Sequence, residues 1–245
     1  MINGIRGVLY RELKIYRRRW RKHLAAYTVS PLLFLVVFGW GVGRNIEMEG
    51  VQYLAFMLPG LATMASMTQS YGTASEINIA RFYWRIFEEF QMAPVQAWQI
   101  ALGEVLYGML RGLGAAAVVI LLAHLFGVGF PLNGTTLGLF ALHTFAFASA
   151  AVVAAMLVKN HADQGHINTF FIVPMSFLCG TFFPLSRLPG WAESVAFCLP
   201  LTHSSLSIRA AALGQALPWL SVAAMLGFAL AFFGAAVWSV RRAAV

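Results

Sequence analysis

Few residues in this 245-residue chain are of types that carry chemistry, and their spacing narrows what that chemistry is. Glu104 and Arg111 lie within a long apolar stretch, and their separation on a helix is two turns along one face. Charges inside an apolar segment are expensive and are usually paired, facing a bundle interior or an aqueous path. Two roles stay open for them: a structural pair or interface contact that fixes helix packing, or a polar element of a gating route. His161, Asp163 and His166 are metal-ligand types. In a short polar loop they would leave a metal open to water, and no cysteine joins them, so a solvated loop without metal is expected. His124, His143 and His203 are scattered singly, and no serine, histidine and acid fall together, so no catalytic residue is expected. No segment resembles a glycine-rich phosphate loop ending in Gly-Lys-Ser or Gly-Lys-Thr, so nucleotide chemistry has to come from another chain.

The elements that hold these residues follow from composition. Hydrophobic residues make up 60% of the chain and charged ones 11%, with a mean hydropathy of +0.72. A soluble domain carries roughly a quarter charged residues, so lipid is the expected solvent. The formal charge of +8 is concentrated beside the first apolar stretch, which points to anionic headgroups rather than nucleic acid. At about 20 apolar residues per crossing, six spans are expected, over 24–42, 53–75, 95–126, 132–158, 168–183 and 218–240. Charges continue from Arg6 to Lys22 with no cleavable signal, so the first span is expected to stay as an anchor. Basic residues before the first span, at Arg81 and Arg85, at Lys159 and at Arg241 and Arg242 put both termini and the loops after spans two and four in the cytoplasm. The expected fold is an all-α integral membrane protein forming one transmembrane domain over 1–245.

Three segments do not fit a plain bundle. In 3–20, Ile5, Val8, Leu9, Leu13 and Tyr16 recur at helical spacing against Arg6, Lys14, Arg17 and Arg18. That pattern suits an amphipathic helix in the membrane surface; a charged flank that merely orients the first span is the plainer reading. The cytoplasmic segment 76–94 displays Phe82, Tyr83, Trp84, Phe87 and Phe90 among charges, and such rings have to be covered by the bundle, by lipid or by a partner. The stretch 184–215 is too polar and Pro-broken to span, and reads as two short re-entrant helices at the outer face. Gly39 with Gly43, and Gly108 with Gly112, have the four-residue spacing that permits close helix approach. Cys179 and Cys198 are read as small buried residues rather than a bridge. Phe34 and Phe38 in the first span, with Phe170 and Phe177 in the fifth, either form lipid-facing belts or line a pathway.

This order of parts resembles the type 2 ABC exporter permeases, in particular the branch of nodulation-factor and polysaccharide exporters. The likeness covers nearly the whole chain and rests on YLAFMLPGLATMASM from Tyr53, FEEFQMAPVQAWQIALGEVL from Phe87 and GTFFPLSRLPGWAESVAFCLPLTHSSLSIRAAALG from Gly180. Where such permeases commonly have Gly-Thr-Leu-Glu, then a proline and a Gly-Lys or Gly-Glu pair, this chain matches with Glu89, Pro94, and Gly103 with Glu104, while Phe87 and Glu88 stand in place of Gly-Thr. The resemblance implies a six-span subunit paired with a second permease copy, as a homodimer, and driven by two copies of a separate ABC ATPase that holds the ATP and Mg. It makes 76–94 a coupling helix, with Phe82, Phe87 and Phe90 covered by the ATPase and Arg81, Arg85, Glu88, Glu89 and Pro94 around them. The implied activity is export of an amphipathic lipo-oligosaccharide or polysaccharide across a bacterial inner membrane, with no enzyme activity in this chain. Drug or antibiotic efflux by a permease of the same kind is the alternative. A non-transporting membrane scaffold is the reading from another class.

Overall fold

The computed structural model describes residues 3–42 and 46–243, apart from the side chains of Trp40, Val42, Glu88 and Gln91. Helix α1 (Asn3–Phe34) passes into a π-helical segment (Leu35–Val42), and a two-residue antiparallel hairpin, β1 (Glu47–Met48) with β2 (Val51–Gln52), leads into α2 (Tyr53–Tyr71). Then come α3 (Thr73–Phe82), α4 (Ile86–Met92), α5 (Ala97–Leu125), α6 (Gly134–Leu157) and α7 (His161–Ile167). A second π-helical segment (Asn168–Ile172) joins α7 to α8 (Val173–Leu178) and is followed by α9 (Gly190–Phe197), α10 (Pro200–Ala212) and α11 (Trp219–Ala243). The all-helical expectation holds. Among the described residues, four helices are long and apolar enough to cross a membrane: Asn3–Gly39, Ala97–Leu125, Gly134–Leu157 and Trp219–Ala243.

The other two expected spans depart from that pattern for visible reasons. Helix α2 is buried along most of its length, so it carries Thr63, Ser66 and Ser70 without presenting them to lipid, while the exposed Thr68 donates its hydroxyl to the Met64 carbonyl at 2.9 Å. Between His161 and Leu178 the helix has a polar first turn, and the chain leaves helical geometry from Cys179. The loop expected around His161 is therefore the start of that helix, with Asn160 Oδ1 accepting from the Asp163 amide at 2.9 Å.

The expected surface helix 3–20 and span 24–42 are one continuous helix. Residues 21–23, Arg-Lys-His, contain no breaker, and the buried positions Val8, Glu12, His23, Tyr27 and Pro31 lie along one stripe. At 1.5 Å per residue α1 is about 48 Å long, against about 30 Å of hydrocarbon. Its first turns lie against α5: a Cβ on Gly4 would come within 2.8 Å of Gln99, and one on Gly103 within 2.8 Å of Val8. Of the expected apolar face, Val8 is buried but Leu13 is exposed.

Helix α5 is the central element, packed against α1, α2, α6 and α11. Gly108 and Gly112 make that possible. A Cβ at Gly108 would sit 2.7 Å from the Ala148 methyl of α6, and one at Gly112 would run into Ser70 Oγ of α2 and Thr144 of α6. Gly39 approaches Leu54, while Gly43 lies outside the described residues. The stretch after Phe183 contains a 3₁₀ turn (Leu185–Arg187) and the helices α9 and α10, and α10 is largely buried against α2 and α11. Cys179 is buried but Cys198 is exposed.

Candidate functional site: an exposed elbow and a buried charge cluster

The segment expected to meet a partner is an elbow between two helices. Helix α3 ends at Phe82, Arg85 takes a left-handed backbone (φ 52°), and α4 follows. The elbow sorts its aromatics, and this corrects the expectation that a partner covers all of them. Phe87 is only 9% exposed and belongs to the chain's own core, with the ring of Phe90 edge-on to it at 5.6 Å. Phe90 is half-buried and has the Arg11 guanidinium 5.3 Å above its ring. Phe82, Tyr83 and Trp84 remain exposed, together with Arg85, Glu89, Met92 and Pro94. The Glu88 side chain lies outside the described residues.

Arg81 also has a different use from the expected one. Its Nη1 donates to the Met156 carbonyl at 2.7 Å, the Ala155 carbonyl at 3.2 Å and the Val158 carbonyl at 3.4 Å. These belong to the last turn and cap of α6, whose carbonyls have no partner within the helix. Burial pulls the Arg81 pKa below its ordinary value, yet a guanidinium stays charged, which suits the negative end of a helix dipole. Arg81 thus ties α3 to α6.

Glu104 and Arg111 are both buried on α5, but the pair they make is not with each other. Two turns of helix separate them by about 10 Å, beyond ion-pair reach. Arg111 Nη1 lies 2.8 Å from Glu76 Oε1 of α3, and Nη2 donates to Gln69 Oε1 of α2 at 3.0 Å. The Tyr107 hydroxyl donates to Glu76 Oε2 at 3.0 Å, closing a cluster across α2, α3 and α5. Glu104 instead faces α1, with Arg11 Nη2 at 3.5 Å, and Arg11 also contacts its neighbour Glu12. Tyr16 stacks on His23 at 4.9 Å and meets the Tyr107 ring edge-on at 6.3 Å, so α1 packs against the α5 side of the cluster through these rings.

Sequence reasoning missed most of these partners. The signal in α1 was Glu12, the one acid in a run of basic residues, which becomes meaningful once it recurs on the stripe of Val8. Arg209 is a second omission, visible as a lone charge among serines and alanines. Its Nε donates to the Phe56 carbonyl at 3.1 Å, its Nη2 to the Gly180 carbonyl, and its guanidinium lies 4.0 Å from the Phe56 ring centroid. It fixes α10 to α2 and to the turn after α8.

The four aromatics singled out from sequence divide three to one. Phe34, Phe38 and Phe177 converge on Phe182, with ring centroids 5.1, 5.4 and 5.7 Å from it, so the first and fifth apolar segments do meet. Phe170 is apart from them, highly exposed and stacked on His166 at 6.3 Å. His161 is engaged with Asn78 Oδ1 at 3.1 Å.

Residues 4–213 match the family model described as ABC-2 type transporter. The chain is 26% identical over 214 residues to the inner membrane transport permease YadH of Escherichia coli K12, covering 86% of this chain and 83% of that protein. It is 30% identical over 226 residues to nodulation protein J of Rhizobium meliloti, covering 84% of this chain and 82% of that one. Nodulation protein J of Bradyrhizobium diazoefficiens is 28% identical over 245 residues, covering 95% and 94%.

Proposed function

Because the chain belongs to the ABC-2 type transporter family and is the membrane subunit of an ABC transporter, we propose that it works as an export permease driven through the elbow 82–94. A subunit of this family leaves ATP hydrolysis to a separate chain, and it resides as a multi-pass protein in the inner membrane. The observation that carries the proposal is the sorting at the elbow. Phe87 and Phe90 anchor it to the bundle, while Tyr83, Trp84, Glu89 and Met92 face outward, which is the division a docking segment needs.

In this reading, two copies of an ABC ATPase with their ATP and Mg engage the elbows of two permease copies, and this chain binds no cofactor of its own. The six-span count, cytoplasmic termini and re-entrant α9 and α10 belong to the same proposal. ATP-dependent closure displaces α4 and α3, and the ion pair from Glu76 to Arg111 passes the displacement to α5. Drive is possible only if ATP stabilises one arrangement of the membrane helices more than the other. Glu104 and Arg111 are thus gating-linked contacts between helices, while Phe34, Phe38 and Phe177 are the candidates to line the route.

The substrate proposed is an amphipathic lipo-oligosaccharide or polysaccharide. The likeness to nodulation protein J supports it, and aromatic rings suit sugar faces. Reconstituted vesicles holding the permease and its ATPase test it. Hydrolysis should be stimulated by a lipo-oligosaccharide and its transport should require ATP, whereas stimulation by hydrophobic drugs alone would contradict the substrate class.

A further inference from the structure

The C-terminal ends of α6 and α11 enclose a cleft of about 300 Å³ lined by Arg81, Met156, Leu157, Trp238, Ser239 and Arg242. Its chemistry is unlike that of the apolar grooves elsewhere on the bundle. Arg242 is exposed, lies with its guanidinium 5.4 Å from the centroid of the half-exposed Trp238 ring, and is in the last turn of α11. Arg81 enters from α3 on the other side, with its carbonyl contacts all made by Nη1.

Charge decides what such a cleft attracts. Two helix C-termini contribute roughly half a negative charge each, and two guanidinium groups contribute a full positive charge each, so the balance is about one positive charge. A guanidinium presents donors in a fork that fits a phosphate, and an interfacial tryptophan with arginine is the pairing that holds a chain at headgroup level. The apolar walls from Met156 and Leu157 suit the first methylenes of a lipid's acyl chains rather than a free ion.

We propose that this cleft binds the phosphate oxyanion of an anionic membrane phospholipid, with Arg242 gripping the phosphate, Arg81 supplying the second charge and Trp238 forming the wall. The site adjoins the elbow through Arg81, which directly precedes it on α3, and does not depend on which substrate the transporter moves. Because Arg81 also caps α6, the variant to test is Arg242→Gln, whose side chain is exposed, with Arg241→Gln as the neighbouring control outside the cleft.

The protein would be purified in mild detergent and its retained phospholipids measured by native mass spectrometry against the bulk membrane. Anionic phospholipid should be enriched on the wild type, Arg242→Gln should reduce the enrichment about five-fold, and Arg241→Gln should leave it unchanged. Equal losses in both variants would reduce the effect to diffuse surface charge and overturn the site. So would retention unaffected by Arg242→Gln. Delipidated protein titrated with inorganic phosphate alone separates the sources: binding that needs Arg242, without lipid enrichment, would overturn the lipid as the origin of the oxyanion.

Discussion

Arg111 meets Glu76 and Gln69 where three helices converge, and each partner comes from a different helix. Its position could be read in the sequence as an intramembrane charge, but its partner could not. The expected partner, Glu104, was the nearest acid along the chain, and helical rise makes that neighbour unreachable. Glu76 looked like part of a solvent-facing loop because nothing in its spacing says that α3 packs on α6 and brings this side chain to Arg111 of α5. Removing one member of a buried ion pair leaves the other uncompensated, so Glu76→Ala should destabilise the protein by about 3 kcal/mol, read as a lower thermal midpoint in detergent. Adding Arg111→Ala to it should cost less than the two single changes summed, since the pair acts as a unit. Additive losses would show that the two residues do not support each other.

At the level of elements, helices α5, α6 and α11 were legible because a long apolar run has one reading in a protein this rich in them. The seams between helices were less so. The continuity of α1 was missed because a change of solvent from headgroup to hydrocarbon looks, in a sequence, like a change of element. The tight crossing of α5 with α2 and α6 was suggested by Gly108 and Gly112, and its partners come from the fold alone. Gly112→Ala should lower stability by about 1–3 kcal/mol through overpacking against Ser70 and Thr144. Gly227→Ala in α11, where a Cβ meets nothing within 4 Å, should be neutral or stabilising by up to about 1 kcal/mol. Arg81 makes the same point at a helix end. Arg81→Ala should cost about 1–3 kcal/mol by leaving the α6 carbonyls bare, whereas Glu89→Ala on the exposed side of α4 should stay within about 0.5 kcal/mol of wild type in melting experiments.

In the whole molecule, the short helix α3 joins the outward-facing elbow to the buried charge cluster. Membrane class and family could be read from the chain alone, because hydropathy and the order of motifs are properties of sequence. Which elbow residues turn outward could not, because Phe87 and Tyr83 are the same kind of residue until packing separates them. The account predicts that Glu89→Ala leaves insertion and stability intact while transport falls more than hydrolysis. Proportional loss of both would place Glu89 outside coupling. The most direct test is photo-cross-linking from single positions of the elbow to the ATPase in the assembled, ATP-bound transporter. A probe at Met92, which is 83% exposed, should give an ATPase adduct, and one at Phe87 should give only links within the chain. An ATPase that stays bound yet cross-links to no position in 82–94 would contradict the assignment of the elbow as the point of drive.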